Sequence, residues 1–246
     1  MTLLRINNTI LKKNGIVLAR PIAPPTPYTI RLKFTNGVTP TFSKGTGVQV
    51  SSSPNIWDLT YENTDWSNLL QRQSNLLEVL DANTSGVTNM SYMFDFCSAL
   101  TAVPLFDTSS VTDMSYMFDW CEALTTVPLF DTSNVTNMYS MFYVCGSLTA
   151  VPPFDTSNVT TLRWMCTSCR SITTVPLFDT SKVTDMSYMV NGCTNVQTGA
   201  LALYQQASSQ ATPPYHDYTF TDCGIDTVTG AAELAQIPRR WGGTMN

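Results

Sequence analysis

The stretch Val111-Thr-Asp-Met114-Ser-Tyr-Met117-Phe118-Asp-Trp-Cys121-Glu-Ala-Leu124-Thr-Thr-Val127-Pro128-Leu129-Phe130-Asp131-Thr132-Ser133 decides how this chain is read. Twenty-four residues later the same residue types return as Val135, Met138, Met141, Phe142, Cys145, Leu148, Val151, Pro152, Phe154 and Asp155. Twenty-four residues earlier they stand as Val87, Met90, Met93, Phe94, Cys97, Leu100, Val103, Pro104, Phe106 and Asp107. Two later units drift, with Leu162, Cys166 and Ile172, then Val190 and Val196, in the same columns. Self-similarity at a fixed period of this length marks a repeat array, in which each unit buries its apolar face only against its neighbours. Five units run from about 83 to 198.

Within a unit, Val111, Met114, Met117, Phe118 and Cys121 step by three or four residues, the spacing of one face of a short helix. Leu124, Val127, Leu129 and Phe130 lie among β-branched threonines and are followed by Asp131-Thr132-Ser133, which predicts a short strand and a turn. The expected fold class is therefore an α/β repeat solenoid, with a short helix and a short strand in each 24-residue coil. Shifting the register back once more aligns Trp66, Leu69, Leu70, Leu76 and Val79, so 63–82 reads as a capping repeat and 63–198 as the whole array. Residues 199–246 form a C-terminal cap. There 198–210 reads as a helix stopped by Pro213-Pro214, followed by short strands at 218–220 and 227–229 and a helical turn over 230–236.

The N-terminal part differs in kind. Lys13-Asn14-Gly15 between Leu3-Leu4-Arg5-Ile6 and Ile16-Val17-Leu18 signals a hairpin, and Pro21 to Pro27 a semi-rigid spacer. Residues 1–27 thus read as an anchor and spacer, with Arg5, Lys12, Lys13 and Arg20 as its candidate contacts. Residues 28–62 read as a small β-rich element, led by the alternation Tyr28-Thr-Ile30-Arg-Leu32-Lys-Phe34 and followed by a further strand at 45–50.

Composition narrows the function classes. Charged residues make up 13% of the 246, hydrophobic ones 43%, and the net charge is −5, which repels phosphate and argues against nucleic-acid binding. That total conceals +7 over residues 1–53 and −7 over 81–196. No run of eighteen apolar residues is present to span a membrane. Met1 to Val17 lacks a secretory core, so the mature chain is expected to start at or near Met1.

Three columns invite chemical readings. Cys97, Cys121, Cys145, Cys169 and Cys193 lie 24 apart, which reads as a column of buried free thiols; disulfides would leave one over, and Cys166 and Cys169 alone offer metal-ligand spacing. Asp107, Asp131, Asp155 and Asp179 could line up for calcium, or else each caps the helix that follows. Phe96, Trp120 and Tyr143 fall between the Phe and Cys columns, where units differ, and an aromatic row there is a candidate binding surface. The variable positions Asp95, Asp119, Val144, Thr167 and Ser168 are read as exposed with it. His216 is the single histidine, and neither a nucleophile motif nor a phosphate loop accompanies it, so no enzyme, cofactor or metal is expected.

The unit Phe130-Asp-Thr-Ser-Asn-Val-Thr-Asn-Met-Tyr-Ser-Met-Phe142 through Cys145, Leu148 and Pro152 resembles the BspA-like leucine-rich repeat of bacterial surface proteins, also carried by phage-encoded proteins. The resemblance implies a leucine-rich-repeat solenoid with a parallel sheet on one side, and adhesion or protein binding. The order of anchor, spacer and binding module is similar to that of virion fibre and decoration proteins. The expected function is a non-enzymatic phage structural protein of the head or tail, localised to the virion. Its expected partners are capsid or tail proteins through 1–27 and a host surface protein or glycan through the repeats. Homo-oligomers are expected, because fibres are commonly symmetric. A bacterial cell-surface adhesin and an intracellular interaction scaffold are the alternatives.

Overall fold

The computed structural model describes residues 4–6, 9–11 and 28–245. Strands β1 (Leu4–Ile6) and β2 (Thr9–Leu11) pair antiparallel with Ile6 opposite Thr9. The hairpin expected around Lys13-Asn14-Gly15 and the Pro-rich spacer fall outside the described residues.

Alternation in β3 (Tyr28–Phe34) buries Ile30, Leu32 and Phe34 and sends Arg31 to the opposite face. β3 is central to a four-stranded antiparallel sheet, between β5 (Asn55–Tyr61) and β6 (Leu76–Ala82), with β4 (Thr46–Ser52) outside β5. Arg31 meets Asp58 through two bonds of 2.7 Å across β3 and β5, and Lys33 meets Glu78 at 2.7 Å across β3 and β6. β6 also opens the repeat region, because Glu78 bridges in parallel to Ala102. Trp66, Leu69, Leu70, Leu76 and Val79 are all buried where sheet and repeats meet.

The repeats correct the expected fold class. Among the described residues the α-helices are α1 (Ala200–Ser208) and α2 (Val228–Leu234), both after the repeats, and the multi-stranded sheet is the antiparallel one before them. The anticipated helix-plus-strand, leucine-rich-repeat solenoid is overturned: the 24-residue units contain neither element and are chains of turns.

The reason lies in where the backbone N–H groups go. An α-helix needs i→i−4 bonds. Here Tyr92, Phe94 and Phe96 donate to Ser115, Met117 and Asp119 of the next unit at 2.8–2.9 Å. Between them Met93, Asp95 and Cys97 donate back three residues, to Met90, Tyr92 and Phe94. Tyr92 and Phe96 have φ of 56° and 57°, and the same left-handed pair recurs at Tyr116 and Trp120, Ser140 and Val144, and Trp164 and Ser168. Two left-handed residues per unit exclude a right-handed helix, yet overlapping three-residue turns still aim Met90, Met93, Phe94 and Cys97 inward. Spacing of three and four therefore did not discriminate helix from turns.

The expected strands fail for a simpler reason. Pro104, Pro128, Pro152 and Pro176 have no N–H to extend a ladder, so the contact shrinks to single bonds such as Thr125 and Thr149 N–H to the carbonyls of Thr101 and Thr125. Parallel bridges link Asp65, Asn89, Asp113, Asn137, Thr161, Asp185 and Tyr215. The last step is longer because the chain leaves the stack to form α1.

Stacking makes a continuous core. Phe94, Phe118 and Phe142 lie face to face at 5.4 and 5.6 Å, as do Phe106, Phe130 and Phe154 at 5.7 and 6.2 Å. At the C-terminal end Trp241 is buried, with His216 stacked on it at 3.8 Å. The strands expected at 218–220 and 227–229 are not formed: the first is a turn, and Thr227 instead caps α2, its hydroxyl accepting from Gly230 N–H.

Candidate functional site

Left-handed positions recur along the stack, and at seven of the thirteen that are not glycine among the described residues the side chain is aromatic. Tyr92, Phe96, Tyr116, Trp120, Trp164, Tyr188 and Tyr218 all have φ between 55° and 59°. Left-handed backbone costs an L-residue about 1–2 kcal/mol, and strain of this kind concentrates at functional surfaces. Rings in register form two files, Tyr92–Tyr116–Tyr139 and Phe96–Trp120–Tyr143, that merge at Trp164 into one row. Tyr92 stacks on Tyr116 at 4.3 Å and Phe96 on Trp120 at 5.6 Å, both with nearly parallel planes.

The order changes in the next unit. There the left-handed slots hold Ser140 and Val144, and the aromatic residues stand one position earlier, at Tyr139 and Tyr143. Their rings tilt: Tyr116–Tyr139 at 47°, Trp120–Tyr143 at 56°, Tyr139–Trp164 at 58° and Tyr143–Trp164 at 47°. Trp164 is thus the junction of the row, meeting Tyr139, Tyr143 and Tyr188 at 5.5–6.2 Å. Arg163 lies over its ring at 4.9 Å and reaches Asp185 at 3.3 Å. Parallel stacking hides ring faces and presents edges; tilting exposes faces, so the junction offers the widest range of contacts.

Phe96, Trp120 and Tyr143, singled out from sequence, are brought together in this row. Tyr92, Tyr116, Tyr139, Trp164, Tyr188 and Tyr218 were missed. Their signal was visible in Met-Ser-Tyr-Met, repeated at 90–93, 114–117 and 186–189, but an aromatic residue between buried methionines reads as core. Asp95 and Asp119, expected to be exposed, are 4% and 8% exposed, and Thr167 is buried too. Val144 and Ser168 are half-buried. Of the anchor candidates, Arg5 lies in β1 opposite Ile10, and Lys12, Lys13 and Arg20 lie outside the described residues.

Asp95 and Asp119, which precede Phe96 and Trp120 in sequence, are buried on neighbouring units, each with an Oδ1 that lacks a hydrogen-bond partner. Gln71 Nε2 donates to Asp95 Oδ2 at 2.6 Å. Burial raises both carboxyls, and Asp119, with Asp95 beside it, is pushed up to about 7.

The cysteine column is buried and every described cysteine is a free thiol. Sulfur also has a hydrogen-bonding role. Cys97, Cys121, Cys145, Cys169 and Cys193 donate to the carbonyls of Leu70, Phe94, Phe118, Phe142 and Cys166 at 3.0–3.1 Å, tying each unit to the one before. Burial raises these thiols, which leaves them protonated and unreactive.

Asp107, Asp131, Asp155 and Asp179 close turns, each Oδ1 accepting from the N–H of the serine two residues on at 2.8–3.2 Å. Those serine bonds hold Asp131, Asp155 and Asp179 below the ordinary carboxylate range. A second column, missed from sequence, closes turns the same way at Asp65, Asn89, Asp113, Asn137 and Asp185. Among the described residues no group of three or more His, Cys, Asp or Glu is placed to hold a metal, and no helix is long and apolar enough to cross a membrane.

A family described as "Mycoplasma protein of unknown function, DUF285" matches residues 64–174 and 149–209, which spans the turn units, β6 and α1 and leaves β3, β4 and β5 outside. No curated protein and no solved structure matches the chain. Since the two matched segments together cover more than half of its length, this chain belongs to the DUF285 family, described as Mycoplasma proteins of unknown function.

Proposed function

We propose that the protein is a non-enzymatic adhesion protein that grips a partner protein through the aromatic row centred on Trp164. The observation that carries this reading is the row itself: nine rings from Tyr92 to Tyr218, joined edge to edge or face to face, most on strained left-handed backbone. Trp, Tyr and Arg dominate binding hot spots, and the junction of Trp164, Tyr139, Tyr143, Tyr188 and Arg163 has that composition.

We place the protein on a phage virion, resembling BspA-like repeat proteins that phages carry, with residues 1–27 as the anchor to capsid or tail and the row facing the host. A second reading, a bacterial cell-surface adhesin, is favoured by the family's description, which names Mycoplasma.

Adhesion is tested by capture of host cells on immobilised full-length protein. Trp164→Ala should reduce capture about thirtyfold or more, the loss of a hot-spot side chain worth about 2 kcal/mol. Unchanged capture in Trp164→Ala and in Trp120→Ala would exclude the row. Placement is tested by mass spectrometry of purified virions against cell envelopes. Deleting 1–27, which also removes β1 and β2, should abolish incorporation into particles while leaving the thermal melt of the turn units unchanged.

A further inference from the structure

We propose that the cavity between the loop over 35–45 and the turn over 71–75 binds an acidic sugar residue of a glycan, whose carboxylate pairs with Arg72. This goes beyond the adhesion reading: it is a second contact, of another chemical class, at the head of the aromatic row rather than at its junction.

The cavity measures about 400 Å³, within the range of small-ligand clefts. Buried Phe34 and half-buried Pro40 give it an apolar wall, and Ser43, Ser74 and Asn75 bring exposed hydroxyl and amide groups to it. Those three side chains have no hydrogen-bond partner among the described residues. Both walls are pinned by the chain's own bonds. Thr35 N–H donates to the Asn75 carbonyl at 3.0 Å, Gln73 Nε2 to the Thr41 carbonyl at 2.6 Å, and Asn55 Nδ2 to the Val38 carbonyl at 2.5 Å. A cleft fixed in advance loses less ordering entropy when it is filled.

Charge selects the ligand. Among the described residues that line the cavity Arg72 alone is charged, and none is acidic. Its guanidinium lies over the Phe96 ring at 5.8 Å, and Asp95 acts on it through space. Neither neighbour uses its donors: the side-chain N–H groups of Arg72 enter no hydrogen bond or ion pair among the described residues. That planar fork matches a carboxylate. A single cation among hydroxyls and amides suits a ligand with one charge and many hydroxyls, whereas phosphate or an acidic peptide is better met by several cations together.

Arg72 also ties the cavity to the row. Its backbone, at φ 62°, repeats the left-handed place that Phe96 and Trp120 hold in the next two units, and Phe96 is 43% exposed. A glycan whose acidic residue pairs with Arg72 meets Phe96 next.

The test is calorimetry on the full-length protein with sialyllactose and a hyaluronan tetrasaccharide, which carry carboxylates, against neutral lactose, inorganic phosphate and capped tetraglutamate. At least one acidic saccharide should bind, and the other three probes at least tenfold more weakly. Arg72→Gln should weaken the acidic saccharide about tenfold and erase its advantage over lactose. Ser43→Trp, which fills the cavity, should abolish binding while the thermal melt stays unchanged, and it tests the site even where Arg72→Gln does not fold. Arg170→Gln, which removes an exposed cation further along the stack, should change nothing. No binding of either acidic saccharide would overturn the site. So would equal binding of lactose, phosphate or tetraglutamate, full binding by Ser43→Trp, or an equal loss in Arg170→Gln. Cell capture and its dependence on Trp164 are measured separately, so failure of the cavity leaves the adhesion reading standing.

Discussion

At the scale of single residues, Asp119 and Val144 bear most directly on stability. Asp119 is an acid whose folded-state affinity for its proton is raised to about 7, against an unfolded value near 4. It therefore contributes no penalty below pH 4, and destabilises increasingly as pH rises from 4 to 7. Asp131, Asp155 and Asp179 are lowered and act oppositely: their stabilisation is present above pH 4 and is lost on further acidification. Asp119→Asn should accordingly raise stability at pH 8 by on the order of 1–2 kcal/mol after discounting for solvent screening, and leave it nearly unchanged at pH 4. Urea melts at the two pH values measure this. Val144 is a β-branched residue at φ 58°, half-buried, at a place where Phe96, Trp120, Ser168 and Gly192 stand in other units. Relief of that strain predicts that Val144→Gly stabilises by about 1 kcal/mol, whereas the same change at the fully buried Val135 destabilises by about 3 kcal/mol. Thermal denaturation of the two variants decides it.

At the scale of elements, the 24-residue unit is held by three kinds of bond that repeat. Backbone N–H groups reach the next unit, thiols reach the preceding one, and side-chain oxygens close the turns. No unit is stable alone, since half of its ladder lies in its neighbours. The sequence made the inward columns legible, because Met, Phe and Cys recur at fixed intervals and nothing else explains them. It did not make the turn geometry legible. Helical spacing and a run of overlapping turns bury the same side chains, and what separates them is the sign of φ at residues such as Tyr92 and Phe96, which carry no glycine to announce it. Removing one ring from the middle of the phenylalanine column, Phe118→Ala, should cost about 3–5 kcal/mol, since it loses contacts with Phe94, Phe130 and Phe142 together. Equilibrium unfolding in guanidinium reads that loss.

At the scale of the whole molecule, a stack of units has two open ends, and this chain closes them differently. The four-stranded sheet meets the first through β6, which belongs both to the sheet and to the stack. The second is closed by α1, α2 and Trp241. Trp241→Ala should therefore destabilise the last unit, where Phe220 and His216 lean on the indole, before the rest. Hydrogen exchange should show lost protection around 215–226 with the central units unchanged.

From the sequence alone came the period, the buried columns, the alternation of β3, and three members of the aromatic row. These follow from side-chain chemistry, which a linear pattern records faithfully. Only the tertiary structure decided that the units are turns rather than helix and strand. It also decided that Asp95 and Asp119 are buried, and that six further rings join Phe96, Trp120 and Tyr143 in one surface. All three depend on how each unit registers against the next: hydrogen bonds 23 residues apart select the left-handed backbone, and that backbone turns alternate side chains outward into line.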